Sequence, residues 1–371
     1  MTASFYTLQA QDGLARCGRL HTAHGTIDTP CFMPVATLGS VKGLRHRDIL
    51  ESGTQMILAN TYHLMLRPGI DTIRQSGGLH NFMNWQKPIL TDSGGFQVWS
   101  LAQLAKINDD GVTFRSHLDG SAHTLSPRNV IDAQYDLNST ITMPLDQCVN
   151  WDAPVETVQE SVNRTCRWAE QSQKAFKKRD GYGLFAIVQG ALDLEQRALC
   201  ARNLVQLDLD GYAIGGLSVG EDKATREHVL TATVPLLPSN KPRYLMGVGR
   251  PLDIVSAVAQ GIDMMDCVLP TRCGRTAKAF TWTGEMNLMN KQYAQDFQPL
   301  DATCPCPTCR DHHRSYLHHL FKSKEMLAAT LLTLHNVVFY QQLMARLRQA
   351  ICDGNVTETA HAIENQMKTL S

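Results

Sequence analysis

Hydrophobic residues in this chain gather in short apolar runs, each ended by a polar residue or a glycine. In order these are TPCFMPVAT, QMILAN, PILTDSGG, TITMPLD, LFAIVQG, GYAIGGLSVGE, PRYLMGVG and GIDMMDCV. Runs of this length, bounded by Gly or Pro, are apolar on both faces, as buried parallel strands are. Most are followed by a stretch with helical periodicity. The clearest is WDAPVETVQESVNRTCRWAEQSQKAFKKRDG, with Asp152 near the expected N-cap, Pro154 in the first turn and a Lys/Arg-rich end before Gly181. Eight such units predict a (β/α)8 barrel, an α/β fold. The rhythm stops near residue 285. A polar, basic and aromatic segment follows, then a helical tail, EMLAATLLTLHNVVFYQQLMARLRQAI. The expected organisation is therefore a catalytic barrel over 1–285, a small metal-binding subdomain over 286–335, and a helical segment over 336–371 that packs back on the barrel.

Barrels of this kind do their chemistry at the C-terminal ends of the strands. The residues at those ends are Asn60, Asp92, Asp146, Gln189, Gly215-Gly216, Met246-Gly247 and Asp266. Any one of them could be an ordinary turn residue. Three carboxylates, two amides and several glycines on one rim read better as a site. A doubly wound sheet, the runner-up architecture, would instead collect its ligands at one crevice.

The stretch GIDMMDCVLPTRCGR, residues 261–275, places Asp263, Asp266 and Cys267 inside an apolar run, where a carboxylate is costly unless something uses it. Strand alternation separates the two aspartates onto opposite faces. Asp266 falls at the strand end; Asp263 reads as a structural hydrogen-bond partner in the rim, and Cys267 as packing.

Composition narrows the function. The 371 residues are 43% hydrophobic and 19% charged with a formal net charge of +0, which describes a globular enzyme-sized chain with no global attraction to nucleic acid. Nucleic-acid binding would need a local patch, and CRDHHRSYLHHLFKSK is one. The first residues lack a long apolar core, which argues against a signal peptide or membrane anchor and for a cytoplasmic protein. Of eleven cysteines, eight are scattered and read as buried small hydrophobes. The other three form Cys304-x-Cys306-x-x-Cys309, a ligand spacing for one zinc ion with a fourth ligand supplied elsewhere. His335 on the apolar helix is the leading candidate; His312, His313, His318 and His319 compete. Four protein ligands leave no open position, so the zinc reads as structural.

Without a catalytic metal, the rim carboxylates point to nucleophilic and acid–base work at an anomeric carbon. At this level LTDSGGFQVWSL, FAIVQG, YAIGGLSVGE, PRYLMGVG, GIDMMDCVLPTR and CPCPTC with its distant His resemble the bacterial tRNA-guanine transglycosylases, the queuine tRNA-ribosyltransferase family. The resemblance spans essentially the whole chain. It implies a (β/α)8 barrel with a zinc subdomain, and exchange of the wobble guanine in GUN-anticodon tRNAs for a 7-deazaguanine. It implies Asp266 as nucleophile on the ribose and Asp92 as general acid/base. Asp146, Gln189 and the Gly216 amide would read the base edge. Phe96 and Met246 would sandwich the ring, with Leu217 and Asn60 completing the base site. Arg272, Arg275 and Asp253 would meet the tRNA, Cys304, Cys306, Cys309 and His335 would hold the zinc, and a homodimer would be usual. An extruded base is held by stacking and by hydrogen bonds to its edge, which agrees with these roles.

Departures from the family pattern are Gln147 in place of Glu, Ala191 after Gln189-Gly190, and Thr276-Ala277 in place of an Asn-Gly turn. Cys148 and Val219 favour the aminomethyl-deazaguanine precursor as the incoming base, and the wording around AIGGLS and QGALD leaves queuine as the alternative. A retaining glycosidase or nucleosidase would need neither zinc nor basic patch. A non-catalytic tRNA-binding partner subunit would lack Asp92 or Asp266.

Overall fold

The computed structural model describes residues 4–101 and 105–368. Each predicted run contains one strand: β1 Cys31–Pro34, β2 Ile57–Asn60, β3 Ile89–Asp92, β4 Ile141–Thr142, β5 Gly183–Val188, β6 Gly211–Ile214, β7 Arg243–Leu245 and β8 Met264–Cys267. All pair in parallel, in the order β1-β8-β7-β6-β5-β4-β3-β2, and a bridge between Val35 and Leu58 links the two ends of the ring. The result is a nearly closed (β/α)8 barrel. Alternation along the strands sorts the core. Phe185, Ile187, Ala213, Tyr244 and Met264 fill the interior with Met33 and Leu90, while Ala186, Val188, Tyr212, Ile214 and Met265 face the helical layer.

Three antiparallel strands, Tyr6–Asp12, Ala15–Thr22 and Gly25–Thr29, precede the barrel and lie across its N-terminal mouth. The ring of Phe5 meets Phe185 edge-on at 6.2 Å, and a side chain at Gly183 would collide with it. Asp263 belongs to this end, just before β8, and not to the C-terminal rim. It is fully buried, paired with Arg16 at 2.5 Å, and accepts hydrogen bonds from the Tyr6 hydroxyl at 3.1 Å and the Arg243 amide at 2.7 Å. The expectation of a rim role is overturned by where its partners sit: the N-terminal sheet supplies the guanidinium.

The long helix over residues 152–181 is shorter than its periodicity suggested. It runs Val155–Ala175 with Pro154 at the N-cap and no side-chain cap. Phe176 turns to extended backbone, so the basic KKRD segment lies outside the helix. Between β3 and the helix Pro127–Asp136 sits an antiparallel three-stranded sheet, Lys106–Asn108, Gly111–Arg115 and Ala122–Leu125. The C-terminal helix Met326–Asp353 carries His335 in its buried stretch and is followed by a further helix, Val356–Met367. Among the described residues no helix is long and apolar enough to cross a membrane. Cys352 is exposed, unlike the other cysteines, and none is paired in a disulfide.

Two departures from the family pattern share a backbone consequence. Ala191 (φ 47°) and Ala277 (φ 63°) both occupy the left-handed region, where an alanine is strained by about 1 kcal/mol relative to glycine.

Candidate active site

The carboxylates from β3, β8 and the segment after β4 meet at the C-terminal rim. Asp92 ends β3 opposite Asn60, the last residue of β2. Asn60 caps the helix Thr61–Leu66 by accepting from the His63 amide, and its Nδ2 donates to Asp92 Oδ2 at 3.0 Å. Gln97, on the helix Gly95–Leu101, donates to the same oxygen at 3.4 Å. Asn60, expected at the base site, thus bonds directly to Asp92. Asp146 is 8% exposed and accepts from Gln189 Nε2 at 2.7 Å. Gly95 makes room for it, since a Cβ there would lie 2.7 Å from its Oδ1.

Asp266 is 9% exposed. Its Oδ1 accepts from the Tyr244 hydroxyl at 2.6 Å and the Gly247 amide at 2.9 Å. Both bonds fall on one oxygen, which leaves Oδ2 uncommitted. Neither donor carries a charge, so this carboxylate is oriented without being neutralised. Burial raises its pKa, opposed by Tyr244 and Gly247. Asp92 is pushed up to about 7 by burial, then by the neighbouring Asp146 and Asp266 charges. Asp146 is pushed up to about 6 by burial, with the Gln189 amide working against the shift. Carboxylates crowded in a low-dielectric site cannot all ionise together, so their protonation states separate and Asp92 is the one that carries a proton nearest neutrality. The Cys267 thiol is buried and pushed up to about 12, so it is no nucleophile at neutral pH.

Around this trio lie a polar edge and two faces. Gln189 Oε1 is buried with no hydrogen-bond partner, and its Nε2 is committed to Asp146, so the free acceptor is available to a ligand donor. Gly216, partly exposed at φ 65°, could carry no side chain without striking that oxygen. Leu217 beside it is buried. Phe96 is 45% exposed on the helix after β3, and Met246, partly buried, directly follows β7.

A second cluster lies away from the rim. The ligand atoms of Cys304, Cys306, Cys309 and His335 lie within 4.8 Å of one another, and all four residues are buried. The Cys309 Sγ is 3.2 Å and the Cys306 Sγ 3.7 Å from His335 Nδ1. His335 Nε2 lies 2.9 Å from the Phe280 carbonyl. That carbonyl can only accept, which places the proton on Nε2 and leaves Nδ1 free to coordinate. Of the rival histidines, His318 turns inward to the Leu288 carbonyl instead of facing solvent. The cluster can hold one metal ion with no open position.

A queuine tRNA-ribosyltransferase family model matches residues 11–369. A queuine tRNA-ribosyltransferase of Granulibacter bethesdensis is 52% identical over 356 residues, 95% of this chain and 94% of the relative. Proteins of the same name are 51% identical in Gluconacetobacter diazotrophicus, over 97% of this chain and 93% of the relative, and 49% identical in Rickettsia bellii, over 95% and 98%.

The chain belongs to the queuine tRNA-ribosyltransferase family.

It is therefore an enzyme of the pentosyltransferase class. In this family member Arg272 and Arg275 are exposed on the helix Leu269–Arg275 that leaves β8; neither forms an ion pair among the described residues, and Arg275 caps the Thr271 carbonyl at 2.9 Å. Asp253 is held by Arg226 at 2.7 Å with its side chain 11% exposed. Gln147 is drawn toward the helix Val155–Ala175, where Arg164 donates to its Oε1 at 2.5 Å. In the basic stretch, Arg310 pairs with Asp311 and Arg314 with Asp296, so its arginines are already neutralised. Sequence reasoning missed Tyr244 and Gln97. Tyr244 was visible only as a polar atom in an apolar run, and Gln97 only as the second residue after two glycines.

Proposed function

We propose that this chain exchanges the wobble guanine of GUN-anticodon tRNAs (Asp, Asn, His, Tyr) for 7-aminomethyl-7-deazaguanine, by double displacement through a covalent Asp266–ribose intermediate. The carrying observation is the unequal trio: Asp92 pushed up to about 7, beside an oriented Asp266 with one free oxygen. In the first step Asp266 Oδ2 attacks C1′ as the C1′–N9 bond breaks, and Asp92 gives its proton to the departing guanine. Asp92, now ionised, takes a proton from the incoming base, which attacks C1′ and releases Asp266. Asp146 accepts from the ring and amino N–H groups of the base, Gln189 and the Gly216 amide meet its polar edge, and Phe96 and Met246 stack on it. The deep setting of Asp266 keeps water from the ester. Arg272 and Arg275 meet the anticodon phosphates or bases.

The Cys304–Cys306–Cys309–His335 set fits one Zn2+, which would pin the 286–335 segment to the helix Met326–Asp353 and take no part in the chemistry. Exposed Phe297, Tyr316, Met289 and Met326 lie on the same segment, and with its arginines neutralised this face suits a homodimer contact better than a phosphate grip. Function on tRNA implies the cytoplasm. The test is incorporation of labelled guanine into GUN-anticodon tRNA, followed by a side-by-side rate with aminomethyl-deazaguanine and queuine. Guanine incorporation with a faster aminomethyl-deazaguanine rate is expected. A faster queuine rate would transfer the substrate assignment, and no incorporation into any GUN tRNA would sink the function.

A further inference from the structure

Arg197 is 1% exposed on the helix Leu194–Val205, yet every hydrogen bond it makes goes to a main-chain carbonyl. Its Nε donates to Ala191 at 2.9 Å, Nη1 to Val188 at 3.0 Å and Gly215 at 2.8 Å, and Nη2 to Gly216 at 3.4 Å. These carbonyls come from the ends of β5 and β6 and the turns that follow them. Gly190 lies against the same residue: a Cβ there would meet the Arg197 backbone at 2.7 Å. Burial pushes the guanidinium down to about 10, so it remains charged at neutral pH. A buried charge whose hydrogen bonds all go to carbonyls, with the Glu221 carboxylate only near enough to favour it, is costly unless those dipoles must be fixed.

The Gly215 carbonyl is the informative one. A trans peptide points its C=O and its N–H in opposite directions. Holding the Gly215 oxygen on Arg197 therefore turns the Gly216 N–H away from the guanidinium, and a Cβ on either glycine would strike the Gln189 amide. Among the described residues that N–H donates to no protein acceptor. A charge-assisted bond on the carbonyl also polarises the peptide and strengthens the N–H as a donor.

We propose that Arg197 is a positioning residue for base recognition: it holds the Gly215–Gly216 peptide with its N–H facing the base pocket and so sets the preference for a purine bearing a carbonyl oxygen at position 6. This rests on the proposed reading of Gly216 and Gln189 as base contacts. The experiment compares full-length wild type, Arg197→Lys and Arg197→Met in labelled-guanine exchange, with guanine and 6-thioguanine as competing bases. 6-Thioguanine keeps every N–H of guanine and replaces only the oxygen by a weaker acceptor. Loss of one aligned donor should lower the guanine over 6-thioguanine preference about tenfold in Arg197→Met, through KM and not kcat. Arg197→Lys, charged but unable to span the carbonyls, should lower it by about threefold. A merely structural arginine would weaken both bases equally, so an unchanged preference in either variant overturns the role. Should Arg197→Met not fold, the Lys variant decides alone. Absence of guanine exchange by the wild type overturns the function and this role with it.

Discussion

Asp263 and Asp266 are three residues apart, the first just before β8 and the second on it, and come to opposite ends of the barrel. At the N-terminal end Asp263 is saturated: a guanidinium, a phenol and a main-chain amide occupy its two oxygens. At the rim Asp266 receives two neutral donors on one oxygen, with the Asp92 carboxylate close enough to feel its charge. The first arrangement removes reactivity and ties the N-terminal sheet to the barrel. The second preserves reactivity at a cost in stability. A buried carboxylate is thus read by what surrounds it, and the same residue type can lock a fold or carry its chemistry.

This contrast can be broken at several places. Replacing Asp263 by Asn leaves Arg16 buried without its counter-charge, which should cost about 3–5 kcal/mol of unfolding free energy. Denaturant unfolding measures it, and exchange per folded molecule should stay near the wild-type rate. A large loss of kcat in well-folded Asp263→Asn would erase the distinction between the two ends. Tyr244→Phe removes one donor from Asp266 while leaving the strand intact. It should lower kcat about tenfold, roughly 1–1.5 kcal/mol, with little change in melting temperature. An unchanged kcat would mean that the Gly247 amide alone orients Asp266.

The smallest effect concerns pH. Asp92 has a folded pKa of about 7, above that of an unfolded carboxylate, so folding favours its protonated form. Its stabilising contribution is full below the ordinary carboxylate range and is lost as pH rises through about 7. Thermal melts of the wild type should therefore show a loss of about 1 kcal/mol between about pH 6 and about pH 8. Asp92→Asn, which cannot ionise, should remove that slope. Equal slopes in the two proteins would place the raised pKa elsewhere.

Much of this was legible because the barrel strands are buried on both faces and announce themselves as apolar runs with sharp ends. All eight were found, and so were the three rim carboxylates at those ends. The cysteine triplet was equally plain, since its spacing is a ligand pattern, while the choice of His335 needed the family resemblance. Polar residues inside apolar elements were harder. Tyr244 sits within PRYLMGVG, where nothing in the pattern tells a packed ring from a hydroxyl aimed at a carboxylate. Arg197 shares the inward stripe of its helix with Cys200, Ala201 and Leu204. A charge at that spacing was the available signal, and it resembles a solvated arginine until the packing is seen. The end of the barrel that Asp263 faces was illegible because its partner Arg16 lies 247 positions away.

The central claim is that Asp266 alone forms the bond to ribose. Wild-type protein and Asp266→Asn are each incubated with a GUN anticodon stem-loop and a deazaguanine inhibitor, then run on a denaturing gel. A covalent protein–RNA adduct in the wild type and none in Asp266→Asn is the predicted result. An adduct that persists in Asp266→Asn would contradict it.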